Sequence, residues 1–114
     1  MSACIFCRIV AGAIPAKIVY QDEVAMAFED INAQAPVHIL VIPQRHLVSV
    51  QDCKVEDQML LGHLLVTCSK VARLKNLTES GYRIVTNTGV DGGQTVAHLH
   101  FHVLGGRHMA WPPG

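Results

Sequence analysis

Charge is scarce in this 114-residue chain. Only 16% of the residues are charged, nine basic and nine acidic, so the formal net charge is zero. That balance excludes a broad nucleic-acid or membrane surface driven by net charge, and any anionic ligand must be held by local groups. Long apolar runs are also missing, since no stretch reaches the roughly 18 residues that a membrane span needs. The start, Met1-Ser2-Ala3-Cys4, lacks the basic region and apolar run of a signal peptide, so a cytoplasmic location is expected. Repeats and low-complexity segments are absent. In a reducing compartment the four cysteines are not expected to form a disulfide framework. Half of the chain is hydrophobic, which suits a packed core and not a disordered segment. One domain over residues 1–114 is expected.

Against this plain background one stretch stands out, Gln94-Thr95-Val96-Ala97-His98-Leu99-His100-Phe101-His102-Val103-Leu104. Histidine falls at every second position and Leu99, Phe101 and Val103 fill the gaps. On an extended strand, side chains alternate between faces, so the three imidazoles share one face and the apolar groups anchor the other. A helix would scatter them. Upstream, Asn87-Thr88-Gly89-Val90-Asp91-Gly92-Gly93 reads as a flexible turn able to bring backbone N–H groups close to an anion. Three readings are open on the residues alone. The face is histidine-rich surface, it is a catalytic zinc site, or it is a metal-free site in which a neutral imidazole attacks phosphorus and its neighbours hold oxygens and move protons.

The rest of the chain reads as an α+β protein, an antiparallel five-stranded sheet with one long helix and a short N-terminal helix. A short helix is expected from Cys7 to Ala11, stopped by Gly12. Strands are expected over Lys17 to Gln21 and Val24 to Glu29, joined by an acidic turn at Asp22-Glu23. His38 to Pro43 reads as a central apolar strand. Val55 to Leu74 reads as the long helix, with Val55, Met59, Leu60, His63, Leu64, Val66, Val71 and Leu74 at near-helical spacing and Asn76 and Gly81 closing it. Its first turn is acidic and its end basic, which suits the helix dipole. Tyr82 to Thr86 is a further strand, pairing antiparallel with the histidine strand. Cys4-Ile5-Phe6-Cys7 has the spacing of half a metal site, and unligated thiols fit it as well.

The sequence His98-Leu99-His100-Phe101-His102-Val103-Leu104 resembles the alternating motif of the histidine triad (HIT) family. The resemblance covers nearly the whole chain, through Ile14-Pro15-Ala16-Lys17, Phe28-Glu29-Asp30-Ile31, Gln34-Ala35-Pro36-Val37-His38, Val41-Ile42-Pro43 and Asp91-Gly92-Gly93-Gln94. The ending Leu104-Gly105-Gly106-Arg107 through Trp111-Pro112-Pro113-Gly114 resembles the branch of histidine triad nucleotide-binding proteins and argues against the dinucleoside polyphosphate hydrolase branch. This likeness implies a single HIT domain with a zinc-knuckle-like N-terminus (1–13) and a C-terminal tail (105–114) at a homodimer interface, across which the sheet continues.

The same likeness implies a purine nucleotide substrate, with an AMP or GMP moiety, and hydrolysis of nucleoside 5′-phosphoramidates or aminoacyl adenylates. His100 is then the nucleophile and His102 contacts phosphate oxygens. His38 stands behind the triad, and Thr95, where many relatives carry serine, assists the leaving amine. Ile14, Phe28 and Ile31 sandwich the base and Asp30 accepts from ribose hydroxyls. Asn87, Gly93, Gln94 and Trp111 complete the nucleotide site, Trp111 from the other subunit. Cys4, Cys7, His46 and His98 hold structural zinc in a closed shell, and no catalytic metal is required. Other classes remain possible on sequence: a nucleotide-binding regulatory module with little turnover, or a zinc hydrolase using all three triad histidines.

Overall fold

The computed structural model describes residues 3–114. Met1 and Ser2, the first residues of the expected zinc-knuckle-like segment, lie outside that range. The elements run α1 (Ile5–Val10), β1 (Ile18–Gln21), β2 (Ala25–Glu29), β3 (Val37–Pro43), α2 (Gln58–Leu74), β4 (Tyr82–Val85) and β5 (Phe101–Gly105). The five strands form one antiparallel sheet in the order β1-β2-β3-β5-β4. The apolar strand at Val37–Pro43 is central, as its continuous apolar run predicts, and it is buried along nearly all of its length.

Alternation along the central strands builds two cores. Ala25, Ala27, Ile39, Val41, Leu99, Phe101 and Val103 pack on one face against Leu64, Cys68, Val71 and Ala72 of α2. On the other face, Met26, Phe28, Leu40 and Ile42 pack against Phe6 and Ile9 of α1. Period-two alternation therefore sorts the triad as expected, apolar groups toward α2 and imidazoles toward α1.

The triad strand is shorter than the sequence predicts. Ladder pairing ends at Val41 opposite Phe101, so His98 and His100 lie in the irregular segment before β5. Two residues past Val41 stands Pro43, which has no N–H to offer a longer ladder. The Leu99 N–H bonds instead to the Leu47 carbonyl at 2.6 Å.

The helices also start elsewhere than expected. α1 begins at Ile5 because the Cys4 side chain accepts the Cys7 N–H and caps it. The long helix begins at Gln58, after a 3₁₀ turn over Val55–Asp57 in which Lys54 N–H donates to the Asp57 carboxylate at 2.9 Å. Its buried face is Leu64, Thr67, Cys68, Val71 and Ala72, a set that includes small residues and lets the helix lie close on the sheet. Val55, Met59, Val66 and Leu74, expected on that face, are exposed, Met59 at 89%. Asn76 with φ 60° and Gly81 with φ 93° turn the chain out of the helix, as expected.

Asp22 ties the β1–β2 hairpin to α2. One oxygen accepts the N–H groups of Val24 and Ala25, and the other takes the Tyr20 hydroxyl at 2.9 Å and faces His63 Nε2 at 2.8 Å. Burial opposes ionisation of this carboxyl, but its four donors together hold it well below the usual carboxylate range. No helix among the described residues is long and apolar enough to cross a membrane.

The helix face gives a direct test. Leu64→Ala should cost about 2–5 kcal/mol, whereas Met59→Ala should stay within about 0.5 kcal/mol of the parent, both read from urea unfolding. Equal losses at the two positions would show that the helix presents a different face to the sheet.

Candidate functional site

Two clusters of imidazole and partner groups sit on the α1 side of the sheet, separated by the ring of His100. His98, His100 and His38 each have one nitrogen held by a backbone group whose role is unambiguous, and this determines what the other nitrogen can do. The Nε2 of His98 lies 3.0 Å from the Pro43 carbonyl, which can only accept, so Nε2 carries the proton and Nδ1 keeps its lone pair. That lone pair faces Cys4 Sγ at 3.3 Å, Cys7 Sγ at 3.5 Å and His46 Nδ1 at 3.1 Å. His98 is fully buried, and burial, followed by its histidine neighbours, keeps its pKa below the ordinary value despite the Pro43 contact.

These four residues fit the zinc that the family resemblance implies. Their ligand atoms lie within 4.8 Å of one another, and two thiols with two imidazoles are the usual donors of a closed tetrahedral site. The bond from His98 to the Pro43 carbonyl supplies the outer-shell contact that fixes a ligand's tautomer.

His100 is 4% exposed. Its Nδ1 lies 2.7 Å from the His98 carbonyl and so donates to it, leaving the Nε2 lone pair unprotonated in the neutral ring. The Thr86 hydroxyl donates to the His100 carbonyl at 2.8 Å and fixes the backbone. Phe6 packs edge-on against His98 and His100, with centroids 5.7 and 5.2 Å away, and against Phe28 at 5.5 Å. Phe6 was missed in the sequence reading. Its signal was its place between the two cysteines, where a solvated knuckle has no use for a large apolar group.

His38 and His102 form the second cluster. The Gln34 backbone N–H donates to His38 Nδ1 at 3.0 Å, so the ring proton is on Nε2. That N–H faces His102 Nδ1 at 2.8 Å. His102 Nδ1 is therefore the acceptor, and its proton is on Nε2. The Asp30 carboxylate stands 3.4 Å from the same His38 nitrogen. Burial lowers the His102 pKa to about 4, assisted by His100 and His38 and opposed by Asp30. Burial lowers that of His38 too, again against Asp30. Both rings are neutral at pH 7. Asp30, His38 and His102 are close enough to suggest a cation site, but the proton on His38 Nε2 points at the other two groups and leaves no lone pair for a metal. The three triad rings, each turned to a different partner, do not converge on one metal position either.

A cleft of about 310 Å³ opens beside these rings. Among its lining residues are Phe6, Ile9, Ile14, Phe28, Asp30, Ile31, Thr95, His100 and His102. The structure thus brings together most of the residues expected to hold a nucleotide, with apolar groups at one end and imidazoles at the other. Ile31 is fully exposed at the rim.

Four expected contributors lie elsewhere. The Asn87 amide donates to the Gly92 carbonyl at 2.6 Å. Gln94 spans the turn, donating to the carbonyls of Val48 at 2.6 Å and Val96 at 3.0 Å and accepting the Gly89 N–H at 3.0 Å. The N–H groups of Gly93 and Gln94 bond within the turn to Val90 and Gly89, so they are not directed at an anion. Gly92 is required there, because a Cβ would overlap the Thr88 carbonyl. Trp111 is 81% exposed and outside the cleft of its own chain. Its tail is held by Arg83, which donates to the Ala110 carbonyl at 2.9 Å, and by Arg107, which donates to the Gln34 carbonyl at 3.1 Å.

Comparison with known proteins gives the family and the fold. Residues 11–109 match the HIT domain family, a span that leaves out Cys4 and Cys7. The chain is 56% identical over 110 residues to an uncharacterized HIT-like protein of Synechococcus elongatus, covering 96% of each. A HIT family hydrolase from Legionella pneumophila superposes with a TM-score of 0.95 at 47% identity, over 97% of this chain and 99% of that one. A histidine triad nucleotide-binding protein from Candida albicans superposes with a TM-score of 0.81 at 30% identity, over 89% of this chain and 73% of that one. With its alternating histidines, its five-stranded sheet and a family match over most of its length, the chain belongs to the HIT family.

Proposed function

We propose that this protein is a hydrolase of the histidine triad nucleotide-binding branch. It cleaves the P–N bond of purine nucleoside 5′-phosphoramidates, and the acyl P–O bond of aminoacyl adenylates, to the nucleoside monophosphate. The observation that carries this reading is the Nε2 of His100, left with the lone pair when Nδ1 donates to the His98 carbonyl, beside a cleft with apolar walls whose rim includes Asp30 and Glu29. A buried neutral imidazole with its other nitrogen bonded to a carbonyl is a nucleophile held in one orientation.

In this scheme the base lies between Ile14, Phe28 and Ile31, and Asp30 accepts from the ribose hydroxyls. His100 Nε2 attacks the α-phosphorus, a P–N bond to the imidazole forms, and the bond to the amine breaks. The amine departs neutral, taking a proton relayed from water by the Thr95 hydroxyl, because an amide anion is a very poor leaving group. His102 donates its Nε2–H to a phosphate oxygen. The hydroxide left by that relay then attacks phosphorus, the bond to His100 breaks with its electron pair returning to Nε2, and the monophosphate leaves. In place of the turn amides at Gly93 and Gln94, phosphate charge is met by His102.

Zinc bound by Cys4, Cys7, His46 and His98 would supply structural cross-linking and no chemistry at phosphorus. It would hold α1 and its Phe6 over His100. A cytoplasmic homodimer, in which Trp111 reaches the other subunit's cleft, completes the proposal. The wide exposure of an aromatic on a tethered tail supports it.

Mass spectrometry of protein quenched during turnover of an adenosine phosphoramidate should find an adenylyl group on His100. Tight AMP binding with no product would instead favour the regulatory module. His100→Asn should lower kcat by roughly 1,000-fold or more while AMP still binds. Chelation should release zinc and lower Tm, with activity lost only as the protein unfolds. Instant loss at unchanged Tm would point to catalytic metal. Stability should also depend on pH through His38 and His102. The unfolded chain takes up these protons near 6.5, whereas folded His102 resists until about 4. Their contribution is complete above pH 6.5 and is lost as pH falls from there toward about 4. Melting curves at pH 7 and pH 5 should show this drop, and His102→Gln should make it shallower.

A further inference from the structure

His38 has one ring proton and two acceptors competing for it. With Nδ1 occupied by the Gln34 N–H at 3.0 Å, only the Nε2–H is left to donate. His102 Nδ1 lies 2.8 Å away and Asp30 Oδ2 3.4 Å away. The other Asp30 oxygen already accepts the Asn32 N–H at 2.9 Å. The Oδ2 atom has no other hydrogen-bond or ion-pair partner among the described residues. The side chains of His38 and Asp30 are only 3% and 19% exposed, so bulk water does little to release this competition. A carboxylate that lacks donors attracts a nearby N–H strongly at such low exposure.

We propose that Asp30 is a positioning residue as well as a sugar-binding one. When a ribose hydroxyl donates to Oδ2, the pull of the carboxylate on the His38 proton weakens. The Nε2–H of His38 then serves His102 alone, which tightens the hold on His102 in its Nε2–H tautomer and directs that proton at the substrate phosphate. With a sugar lacking hydroxyls, Oδ2 goes on competing for the His38 proton from 3.4 Å, and the 2.8 Å bond that orients His102 stays weaker. Sugar identity is thereby read in the chemical step and not only in binding. The proposal rests on the phosphoramidase reading and adds to it a path from the sugar to the phosphate through His38.

Two measurements test it. The first compares an adenosine 5′-phosphoramidate with its 2′,3′-dideoxy analogue. The parent protein should show a kcat about tenfold or more higher for the ribose form, an orientation effect. In Asp30→Asn, whose neutral side chain competes weakly for the His38 proton, KM for the ribose form should rise and the kcat ratio should fall toward one. A parent that discriminates through KM alone, or a variant that keeps the kcat ratio, overturns the proposal. The second follows the imidazole ¹⁵N shifts of His38 and His102 as AMP or 2′,3′-dideoxy-AMP is added at saturation. The two nucleotides should move His38 Nε2 and His102 Nδ1 differently in the parent and alike in Asp30→Asn. Equal shifts in the parent overturn the proposal. If the parent turns over neither phosphoramidate, the enzymatic reading fails, and the nitrogen shifts alone decide whether the sugar is coupled to His102.

Discussion

A neutral imidazole has one nitrogen that donates and one that accepts, and in this protein backbone groups decide which is which. Carbonyls at Pro43 and His98 force His98 and His100 to donate from opposite nitrogens. The Gln34 amide forces His38 to accept on Nδ1 and, through it, sets His102. The three triad rings share a face and a spacing, yet they emerge with three different tasks. One offers a lone pair to the cysteines, one offers a lone pair beside the cleft, and one has a proton to donate. The division holds because His38, His98 and His100 are almost fully buried, where water cannot substitute for the fixed partners.

The sheet makes that arrangement rigid. Its two central strands carry an apolar core on each face, so the imidazoles are mounted on an element that α2 clamps from behind. The Asp22 network fixes the hairpin to the same helix. On the front face α1 is short, and it is held at three points: the Cys4 cap, the cluster with His46 and His98, and Phe6 wedged among rings. The turn at 87–94 has a structural part in this. Its glycines and the Gln94 side chain bring the chain back to Val48 and set the entry to the histidine segment. Polar atoms that look free in the sequence are consumed in making that turn.

Much of the fold was legible because it follows from alternation. The strand at Tyr82–Val85, the central strand at Val37–Pro43 and the partition of Leu99, Phe101 and Val103 from the histidines follow from period two and burial. Errors arose where local pattern and tertiary contact compete. Val55, Met59, Val66 and Leu74 are apolar at roughly helical spacing, but the sheet selects the narrower strip that includes Thr67, Cys68 and Ala72. The histidine strand was read too long because the ladder-breaking effect of Pro43 acts on a strand far away in the chain, where pairing stops at Val41 opposite Phe101.

What the sequence determined by itself is composition and periodicity: an α+β chain with enough apolar residues for two cores, and alternate histidines that an extended backbone must present together. The family likeness rests on the same local order of residues. Tertiary structure alone decided which nitrogen of each ring carries its proton. It also decided that Asn87, Gly93 and Gln94 close a turn and do not face the cleft, and that Phe6 leans on His100. Each of these depends on a hydrogen bond or ring contact between groups chosen by the fold, and no spacing along the chain encodes the direction in which a donor finally points.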